Sequence, residues 1–402
     1  MIQRSNKYKK INPPPTPVSE NRFMQKFKLG TLISRFGDTN SISIQQHFLF
    51  KERLGSGKFS NVISVISIKD QKIYAIKESL HVFKSIPEVL DRLKEIQAIL
   101  NIFNSEITIP LLHIVNFYAI WENQGKIYSQ IEYCNSKSLQ DFIDFQSNLN
   151  DISDDFIWDL LYQISLALTA IHEKNYVHLD LKPENILIHQ ITIEGNTMTI
   201  LKLGDFGLLK QKGDQIRFEG DAQYLSPEIL QKESQKITAN FSNDLFSLGA
   251  TLYRISSNVD EDTFERQIKK IQRTQKLTKL KYNIERSPQI IEIINALLDP
   301  NPNSRLTLNK IFQIEKIQQI NNEKKDLYQK LINFYQNEFS SGFTISNKLY
   351  LFQKDPQQFE EKLQKKLKKE KKKDLKSKIS GDVPSFRVPK NNFMTKMENY
   401  DF

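Results

Sequence analysis

Cysteine is almost absent from this sequence, which has one such residue, Cys134, in 402 positions. A single thiol excludes an intramolecular disulfide, so the fold cannot depend on one. Disulfides are common in oxidising compartments, whereas reducing compartments keep thiols free. The cysteine content therefore favours a nuclear or cytoplasmic protein, and we expect Cys134 to be a packing residue without a redox role.

Long apolar runs are also lacking. No stretch reaches the roughly 18 uncharged apolar residues that a membrane-spanning helix needs. The apolar region Ile109–Trp121 is too short for that and predicts a buried strand. The first residues lack the apolar core of a secretory signal. We therefore expect a soluble protein without a transmembrane segment.

The net charge of +10 is unevenly distributed along the chain. Residues 1–46 carry eight Lys or Arg and two acidic residues, a net charge of +6. Residues 361–402 carry thirteen Lys or Arg and six acidic residues, a net charge of +7, which leaves a net charge of −3 for residues 47–360. Positive charge confined to the ends argues against a catalytic domain that binds specific nucleic acids. Residues 362–378, with ten lysines and two acids, predict a solvated tail, or alternatively a nuclear-localisation or polyanion-binding segment.

The hydrophobic pattern divides the chain into three parts. Residues 1–46 are polar, basic and proline-containing, and we predict that they are disordered. Residues 47–318 form the predicted catalytic domain, with a smaller part at 47–134 and a larger part at 135–318. Residues 319–402 form a C-terminal extension, in which Leu327–Tyr335 predicts one further helix.

Within the predicted domain, strands come first and helices later. Alternating apolar residues at Val62–Ile68 and Lys72–Ile76 predict a hairpin. A helix is predicted to begin at Ser85-Ile86-Pro87 and to continue through Leu100, and a second covers the region from Ser153 to Lys174. This order predicts an α+β fold with a β-rich lobe that contains one helix, a mostly helical lobe, and a cleft between them.

A glycine-rich turn joins the first two predicted strands, where Gly55 and Gly57 precede Ser60. Glycines let backbone amides approach phosphate groups without a clash from Cβ. Ser60 stands where glycine-rich phosphate-binding loops of this kind usually have their third glycine. We therefore predict a stiffer loop. Alone the pattern is weak, because short Gly-x-Gly turns are common.

The next strand carries a lysine in an apolar stretch, Tyr74-Ala75-Ile76-Lys77. Burying a lysine is costly unless it is paired or functional. Lys77 is predicted to hold the α- and β-phosphates of ATP, with Glu95 on the following helix as its partner and Glu88 as the alternative. By itself, a strand lysine is also compatible with an exposed sheet edge.

The sequence from His178 to Asn185 reads His-Leu-Asp-Leu-Lys-Pro-Glu-Asn, and five of its positions coincide with the catalytic loop of protein kinases. Asp180 is predicted to accept the proton of the substrate hydroxyl and to orient that hydroxyl. Lys182 would neutralise charge on the γ-phosphate. Asn185 would supply an amide oxygen to Mg²⁺, a hard cation that prefers oxygen ligands.

Further motifs follow at the expected spacing. Asp205-Phe206-Gly207 predicts that Asp205 chelates the Mg²⁺ that bridges the β- and γ-phosphates. Ser226-Pro227-Glu228 closes the predicted activation segment, and Glu228 needs a buried cationic partner, for which Arg305 is expected. Asp244 is expected to brace the catalytic loop.

The adenine site follows from the positions of these motifs. Apolar side chains should cover both faces of the base, and backbone groups should bond its edge. The predicted residues are Leu54, Val62 and Ala75 above the base, Leu187 below it, the backbone near Glu132 and Cys134 at its edge, and Ile131 behind it.

The activation segment has an unusual composition. Leu179 occupies the position of the arginine that grips a loop phosphate in many kinases. Residues 208–223 contain no Ser, Thr or Tyr, so the acceptor is missing as well. The segment has Glu219-Gly220-Asp221 instead, which predicts a loop held by fixed carboxylates without phosphorylation.

The chain resembles the Wee family, whose members inhibit cyclin-dependent kinases by phosphorylating their glycine-rich loop. The resemblance rests on Glu219-Gly220-Asp221 with the following Tyr224-x-x-Pro227-Glu228, and on Glu132-Tyr133-Cys134-Asn135. The stretch from Lys202 to Leu209 is similar to the Myt-like branch. The resemblance implies a cyclin-dependent kinase as protein substrate and tyrosine, or adjacent threonine and tyrosine, as acceptor.

Two alternatives remain. The spacing Asp180-x-Lys182-x-x-Asn185 is that of Ser/Thr kinases, which would act on an unrelated protein. A pseudokinase scaffold is the alternative from another class of function. The presence of Lys77 and Asp205 beside these residues favours an active enzyme.

Overall fold

The computed structural model describes residues 48–57, 60–68, 70–80, 95–96, 98–103, 106–123, 126–145, 152–216, 220–230 and 237–340. The described residues separate into two compact units, the first within residues 1–88, 116–133 and 339–402 and the second within 89–115 and 134–338. The predictions for residues 1–46, for residues 362–378 and for a helix start at Ser85 lie outside the described residues. Residues 95–96 and 98–103 are helical, as the predicted helix requires.

The first unit contains a five-stranded antiparallel sheet with the strand order β1-β2-β3-β5-β4. Its strands are rich in β-branched and aromatic residues, which favour a pleated sheet. They are β1 (Phe48–Ser56), β2 (Ser60–Ser67), β3 (Ile73–Ser79), β4 (Phe117–Asn123) and β5 (Lys126–Glu132). The predicted hairpin of β2 and β3 is therefore confirmed.

The second unit is mostly helical and also contains two short two-stranded sheets, in which β6 pairs with β9 and β7 pairs with β8. The strands are β6 (Tyr176–Val177), β7 (Ile186–Ile193), β8 (Asn196–Leu203) and β9 (Lys210–Gln211). The helices begin with α1 (Ile109–Leu112), α2 (Leu139–Phe145), α3 (Asp154–His172), α4 (Pro227–Leu230) and α5 (Phe241–Ser256). They continue with α6 (Glu261–Thr274), α7 (Pro288–Leu297), α8 (Leu308–Ile311) and α9 (Glu315–Ser340). The α+β fold class is confirmed.

Helices α3 and α5 form the core of the second unit, since most residues of both are buried. Ser153 caps α3 by accepting a hydrogen bond from the Phe156 amide at 3.2 Å, which agrees with the helix predicted from this residue. Gly249 lets α5 approach α7 closely, because a Cβ at this position would lie 2.7 Å from the Cβ of Leu297. The core therefore depends on a small residue at the α5–α7 crossing.

The prediction of a strand over Ile109–Trp121 is wrong in its first half. Residues Ile109–Leu112 form α1, and strand β4 begins only at Phe117. Pro110 lies in the first turn of α1, where a missing amide hydrogen costs nothing. Burial of Leu111 and Leu112 accounts for the apolar sequence, which a short buried helix and a strand share.

The C-terminal helix is longer than predicted, since α9 runs from Glu315 to Ser340 rather than over Leu327–Tyr335 alone. It crosses the predicted domain boundary at residue 318, so this boundary stays a prediction. None of the helices in the described part of the chain is long and apolar enough to span a membrane.

Candidate active site

One buried carboxylate fixes the loop that follows β6. Asp244, on α5, is fully buried and accepts hydrogen bonds from the amides of His178 at 2.9 Å and Leu179 at 2.8 Å. It also accepts a bond from Nε2 of His172 at 2.8 Å. Three donors on one buried carboxylate fix the loop to the core helix, as predicted for Asp244.

His178 and Gly204 tie this loop to the end of β8. The ring of His178 donates from Nε2 to the Gly204 carbonyl at 3.0 Å, and the Gly204 amide donates to the Asn185 carbonyl at 2.8 Å. The His178 ring also makes an edge contact with the Phe206 ring, with centroids 5.3 Å apart. The amide and the carbonyl of Gly204 are both bonded to the catalytic loop. They therefore hold the next residue, Asp205, beside that loop.

Asn185 connects directly to Asp180. Its side-chain Nδ2 donates to the Asp180 carbonyl at 2.7 Å and to Oδ2 of the Asp180 carboxylate at 2.8 Å. Because both bonds are donated by Nδ2, the amide oxygen Oδ1 remains available to a cation. The structure thus brings together the predicted base and one predicted metal ligand.

The oxygen donors of Asn185 and Asp205 suit a hard divalent cation such as Mg²⁺. Among the described residues, no group of three or more His, Cys, Asp or Glu is placed to hold a metal. Mg²⁺ is commonly held by one or two protein oxygen ligands, with waters and substrate phosphates completing its octahedral shell. Asn185 and Asp205 would supply these two oxygens, and the bound ion would neutralise charge on the phosphates.

The charge on Asp180 is set by its surroundings. Burial raises the pKa of the Asp180 carboxyl, and the nearby Lys182 ammonium acts in the opposite direction. Asp205 also raises this pKa through its like charge, so the two carboxylates interact. Such interacting groups are typical of a site that handles protons and charge.

Lys182 lies between two carboxylates. Its Nζ is 3.5 Å from Oδ1 of Asp180 and 3.8 Å from Oδ2 of Asp221. The sequence indicated a role for both Lys182 and Asp221. It did not indicate their contact, because the two residues are 39 positions apart. The prediction of a segment held by fixed carboxylates is supported at Asp221, whereas Glu219 lies outside the described residues.

Leu179 is buried in an apolar cluster instead of facing a phosphate site. Its backbone has a φ of 65°, a left-handed conformation that costs a leucine energy and persists only where the surroundings enforce it. The cluster joins the catalytic loop to both ends of the activation segment. Its buried members are Val177, Leu179, Ile216, Leu225, Ile229 and Ala239, with Leu208 packed against them.

Hydrogen bonds from two helices hold the end of the activation segment. Gln272 on α6 donates to the carbonyls of Ala222 at 2.8 Å and Leu225 at 2.7 Å. Ser247 on α5 donates to the Tyr224 carbonyl at 2.8 Å. Together with the apolar cluster, these contacts hold the described part of the segment from residue 220 onward.

Glu228 and Arg305 form the expected ion pair. Arg305 donates from Nη1 to Oε1 at 2.9 Å and from Nη2 to Oε2 at 3.1 Å, which is a two-pronged geometry. The arginine is 2% exposed. The predicted partner of Glu228 is therefore confirmed.

The first unit presents the predicted nucleotide-binding residues on one face of its sheet. Val62 lies opposite Lys77, and Ala75 lies opposite Ile131. Opposite residues share a face, and so do positions two apart, such as Ala75 and Lys77. Lys77 is therefore on the same face as the apolar side chains, as a site for the base and the phosphates of a nucleotide requires.

The glycine-rich turn is closed by Asn61. Its Oδ1 accepts hydrogen bonds from Arg53 at 3.0 Å and Ser56 at 2.8 Å, and the Gly57 amide donates to the Ser60 carbonyl at 2.8 Å. Gly55 pairs with Val62, while the exposed Leu54 falls within an irregularity of the β1–β2 register. The turn is shaped by side-chain contacts that the sequence motif did not indicate.

Bonds between Glu132 and Asn116 fix the end of β5. The carboxylate of Glu132 is buried and accepts the Asn116 amide at 3.1 Å, and the Glu132 amide donates to the Asn116 carbonyl at 2.9 Å. These bonds fix the strand end, and the backbone role of Glu132 at the adenine edge stays a prediction. Cys134 is buried, as a packing role requires.

Several predicted residues stay assigned by sequence alone. Lys77 and Glu95 belong to different units, so their pairing remains a prediction, and Glu88 lies outside the described residues. Leu187 is half-buried in β7 of the second unit. The roles of these residues in nucleotide binding are part of the proposal below.

Comparison with known proteins decides the family, because residues 48–317 match the protein kinase domain. The chain belongs to the protein kinase family. A kinase domain implies the use of ATP and a divalent metal, and the predicted kinase fold is confirmed.

The relatives of this kinase include Wee1 kinases. It is 36% identical over 211 residues to the mitosis inhibitor protein kinase wee1 of Schizosaccharomyces pombe, which covers 51% of this chain and 22% of that protein. It is 30% identical over 231 residues to the membrane-associated tyrosine- and threonine-specific cdc2-inhibitory kinase wee-1.3 of Caenorhabditis elegans. This alignment covers 56% of this chain and 31% of that protein. The resemblance to the Wee family is confirmed, and the Myt-like branch stays a prediction.

The third relative has a lower identity over a longer stretch. A Dictyostelium discoideum protein named as a probable protein kinase is 28% identical over 315 residues, covering 69% of this chain and 38% of the relative. The chain thus matches well under half of the length of each of these three relatives.

Proposed function

We propose that this kinase phosphorylates a tyrosine, with or without an adjacent threonine, in the glycine-rich loop of a cyclin-dependent kinase, and that it thereby inhibits that kinase and delays mitotic entry. The observation that carries the proposal is the contact of Lys182 with Asp221 in the catalytic centre. Asp221 belongs to the Glu-Gly-Asp segment by which the sequence resembles the Wee family. The names of two relatives, mitosis inhibitor protein kinase and cdc2-inhibitory kinase, support the same substrate.

The reaction transfers the γ-phosphoryl group of ATP to the substrate hydroxyl. A bond forms between the hydroxyl oxygen and phosphorus, and the bond from phosphorus to the β-phosphate oxygen breaks, so that ADP leaves. Asp180 accepts the hydroxyl proton, and Lys182 offsets negative charge on the transferred group. We assign magnesium to Asn185 and Asp205, whose oxygens suit a hard cation.

Nucleotide binding is assigned to both units. Lys77 would contact the phosphates with Glu95 as its partner, and the glycine-rich turn would cover them. The base would be bound by apolar side chains and by backbone groups. These residues are Leu54, Gly55, Gly57, Val62 and Ala75, the backbone at Glu132 and Cys134, and Leu187.

The test is incubation of the full chain with a cyclin–kinase complex, ATP and Mg²⁺, followed by mass spectrometry of the substrate's glycine-rich loop. Phosphate on the tyrosine of that loop, with loss of activity of the complex, is the expected result. The Asp180→Asn variant serves as the control and should leave the loop unmodified. Phosphate only on serines outside the loop would favour a Ser/Thr kinase with another substrate.

We also propose a nuclear or cytoplasmic location, in which the ten lysines of residues 362–378 favour the nucleus. A fluorescent fusion of the full chain should accumulate in the nucleus, and replacing those lysines by glutamine should shift it to the cytoplasm. An unchanged distribution would contradict a targeting role for this segment.

A further inference from the structure

Helix α9 is an addition to the kinase domain that nevertheless packs like part of its core. The matched domain ends at residue 317, whereas α9 continues to Ser340. One stripe of the helix is buried, with exposures of 7% or less at Ile317, Ile320, Tyr328, Leu331 and Tyr335. This spacing places the five side chains on one face, so the helix is docked rather than free.

Polar contacts fix where α9 docks. They join successive turns of the helix to α3 and to the turn between β7 and β8. Each partly exposed ion pair adds little stability, but a series of them sets the position of the helix along its groove. The contacts are Lys316–Asp155 at 3.0 Å, Tyr162–Asn321 at 2.7 Å, Lys324–Asp159 at 2.6 Å and Lys330–Glu194 at 2.5 Å.

Tyr335 meets a lysine in the strand that leads to Asp205. Lys202 in β8 has no exposed surface, and its Nζ lies 5.1 Å from the centroid of the Tyr335 ring. A buried ammonium is costly, and the face of an aromatic ring offsets part of that cost. Tyr335 therefore stabilises β8 three residues before Asp205.

Tyr328 contacts the same strand through His113. The two rings meet edge to face, with centroids 5.3 Å apart. His113 donates from Nδ1 to the Leu201 carbonyl at 3.0 Å, and its own carbonyl accepts the Leu203 amide at 2.8 Å. Burial lowers the pKa of His113 to about 3, so the ring stays neutral and the proton that it donates is fixed on Nδ1.

These contacts lead without interruption to the candidate metal site. His113 bonds β8 at Leu201 and Leu203, and Tyr335 contacts Lys202 between them. The next residue, Gly204, is bonded to Asn185 and His178. We propose that α9 is a positioning element of the catalytic unit, in which Tyr335 and Tyr328 hold β8 so that Asp205 is correctly placed for the divalent cation.

The inference rests on the proposed role of Asp205, and its test needs no protein substrate. Tyr335→Leu in the full chain keeps apolar volume but removes the aromatic face, while Tyr335→Phe keeps the face. Gln336→Ala is the matched control, since Gln336 is exposed on the same helix. The first measurement is the rate of hydrogen exchange in residues 199–207 and, for comparison, in α5. The second is the affinity for a fluorescent ATP analogue with and without Mg²⁺.

Tyr335→Leu should accelerate exchange at residues 199–207 by about five- to thirtyfold and weaken Mg²⁺-dependent binding by a similar factor. Exchange in α5 and binding without Mg²⁺ should stay as in the parent. Tyr335→Phe and Gln336→Ala should both resemble the parent protein. Equal acceleration in α5, or loss of folding, would show a general stabilising role and overturn the proposal, as would unchanged exchange at 199–207.

Failure of the proposed function is separable from failure of this inference. If Asp205→Asn leaves Mg²⁺-dependent nucleotide binding intact, the metal assignment is wrong. If Asp205→Asn abolishes that dependence while Tyr335→Leu leaves it and the exchange of β8 unchanged, the metal site stands and the positioning role of α9 is wrong.

Discussion

The ammonium of Lys182 lies 3.5 Å from Asp180 and 3.8 Å from Asp221, so one cation serves both the candidate base and the activation segment. A carboxylate attracts the lysine more strongly than a hydroxyl does, although partial exposure weakens the effect. The contact links the order of the segment to the position of the catalytic groups.

Asp221→Asn should slow phosphoryl transfer. The amide keeps the shape of the side chain but removes the charge that faces Lys182, so we expect kcat to fall by about three- to tenfold. The affinity for ATP should change little, because Asp221 is not among the residues assigned to the nucleotide. Steady-state kinetics with varied ATP tests this, and a kcat equal to that of the parent would contradict it.

Asp180→Asn and Asp205→Asn should fail in different ways. Loss of the Asp180 carboxylate removes proton acceptance, which is worth about 10²–10⁴ in rate, while nucleotide binding is retained. Loss of the Asp205 carboxylate should remove the effect of Mg²⁺ on nucleotide binding as well as activity. Single-turnover kinetics together with nucleotide titrations separate the two. Equal defects in binding would refute the separate assignments.

Activity should not require phosphorylation of the activation segment. Residues 208–223 have no Ser, Thr or Tyr, and the segment is fixed by Gln272, Ser247 and the Leu179 cluster. Protein produced without an upstream kinase and treated with phosphatase should keep its full rate. A kinase with a phosphorylated loop, treated in parallel, controls for phosphatase action. Inactivation of this protein by the phosphatase would refute the account.

Leu179→Arg should destabilise the protein rather than create a phosphate grip. The side chain lies in an apolar cluster and is 5% exposed, so a guanidinium there would be buried without a partner at a cost of about 3 kcal/mol or more. Leu179→Met, which conserves volume, should cost less than about 1.5 kcal/mol. Urea unfolding of the three proteins measures both values, and equal stability of Leu179→Arg and the parent would contradict the burial argument.

The catalytic groups could be predicted from the sequence because they are encoded locally. Asp180, Lys182 and Asn185 lie within six residues, so a short loop necessarily brings them together, and Asp205 follows a strand that pairs beside that loop. Arg305 and Asp244 are distant in sequence, but a buried carboxylate or guanidinium requires a partner and few candidates exist.

The docking of α9 could not be predicted in the same way. Its apolar stripe indicates a helix with one buried face, but amphipathic spacing does not identify the surface that covers it. The contacts of Tyr335 with Lys202 and of Tyr328 with His113 span more than 130 residues each. The strand predicted at Ile109 failed for a related reason, because short buried helices and strands are equally apolar.

Glu228 and Arg305 should be energetically coupled. The side chain of Arg305 is completely buried and that of Glu228 is 23% exposed. Removing either partner therefore leaves the other charge unpaired and poorly solvated. We expect Glu228→Gln and Arg305→Met each to destabilise the protein, and the double variant to lose less than the sum, with a coupling free energy of about 1–3 kcal/mol. Chemical unfolding of the four proteins measures the cycle. The half-exposed pair Lys269–Glu265 on α6 is the matched control, for which coupling should stay below about 0.5 kcal/mol. Additive effects at Glu228 and Arg305 would show that the two-pronged contact carries no stability of its own.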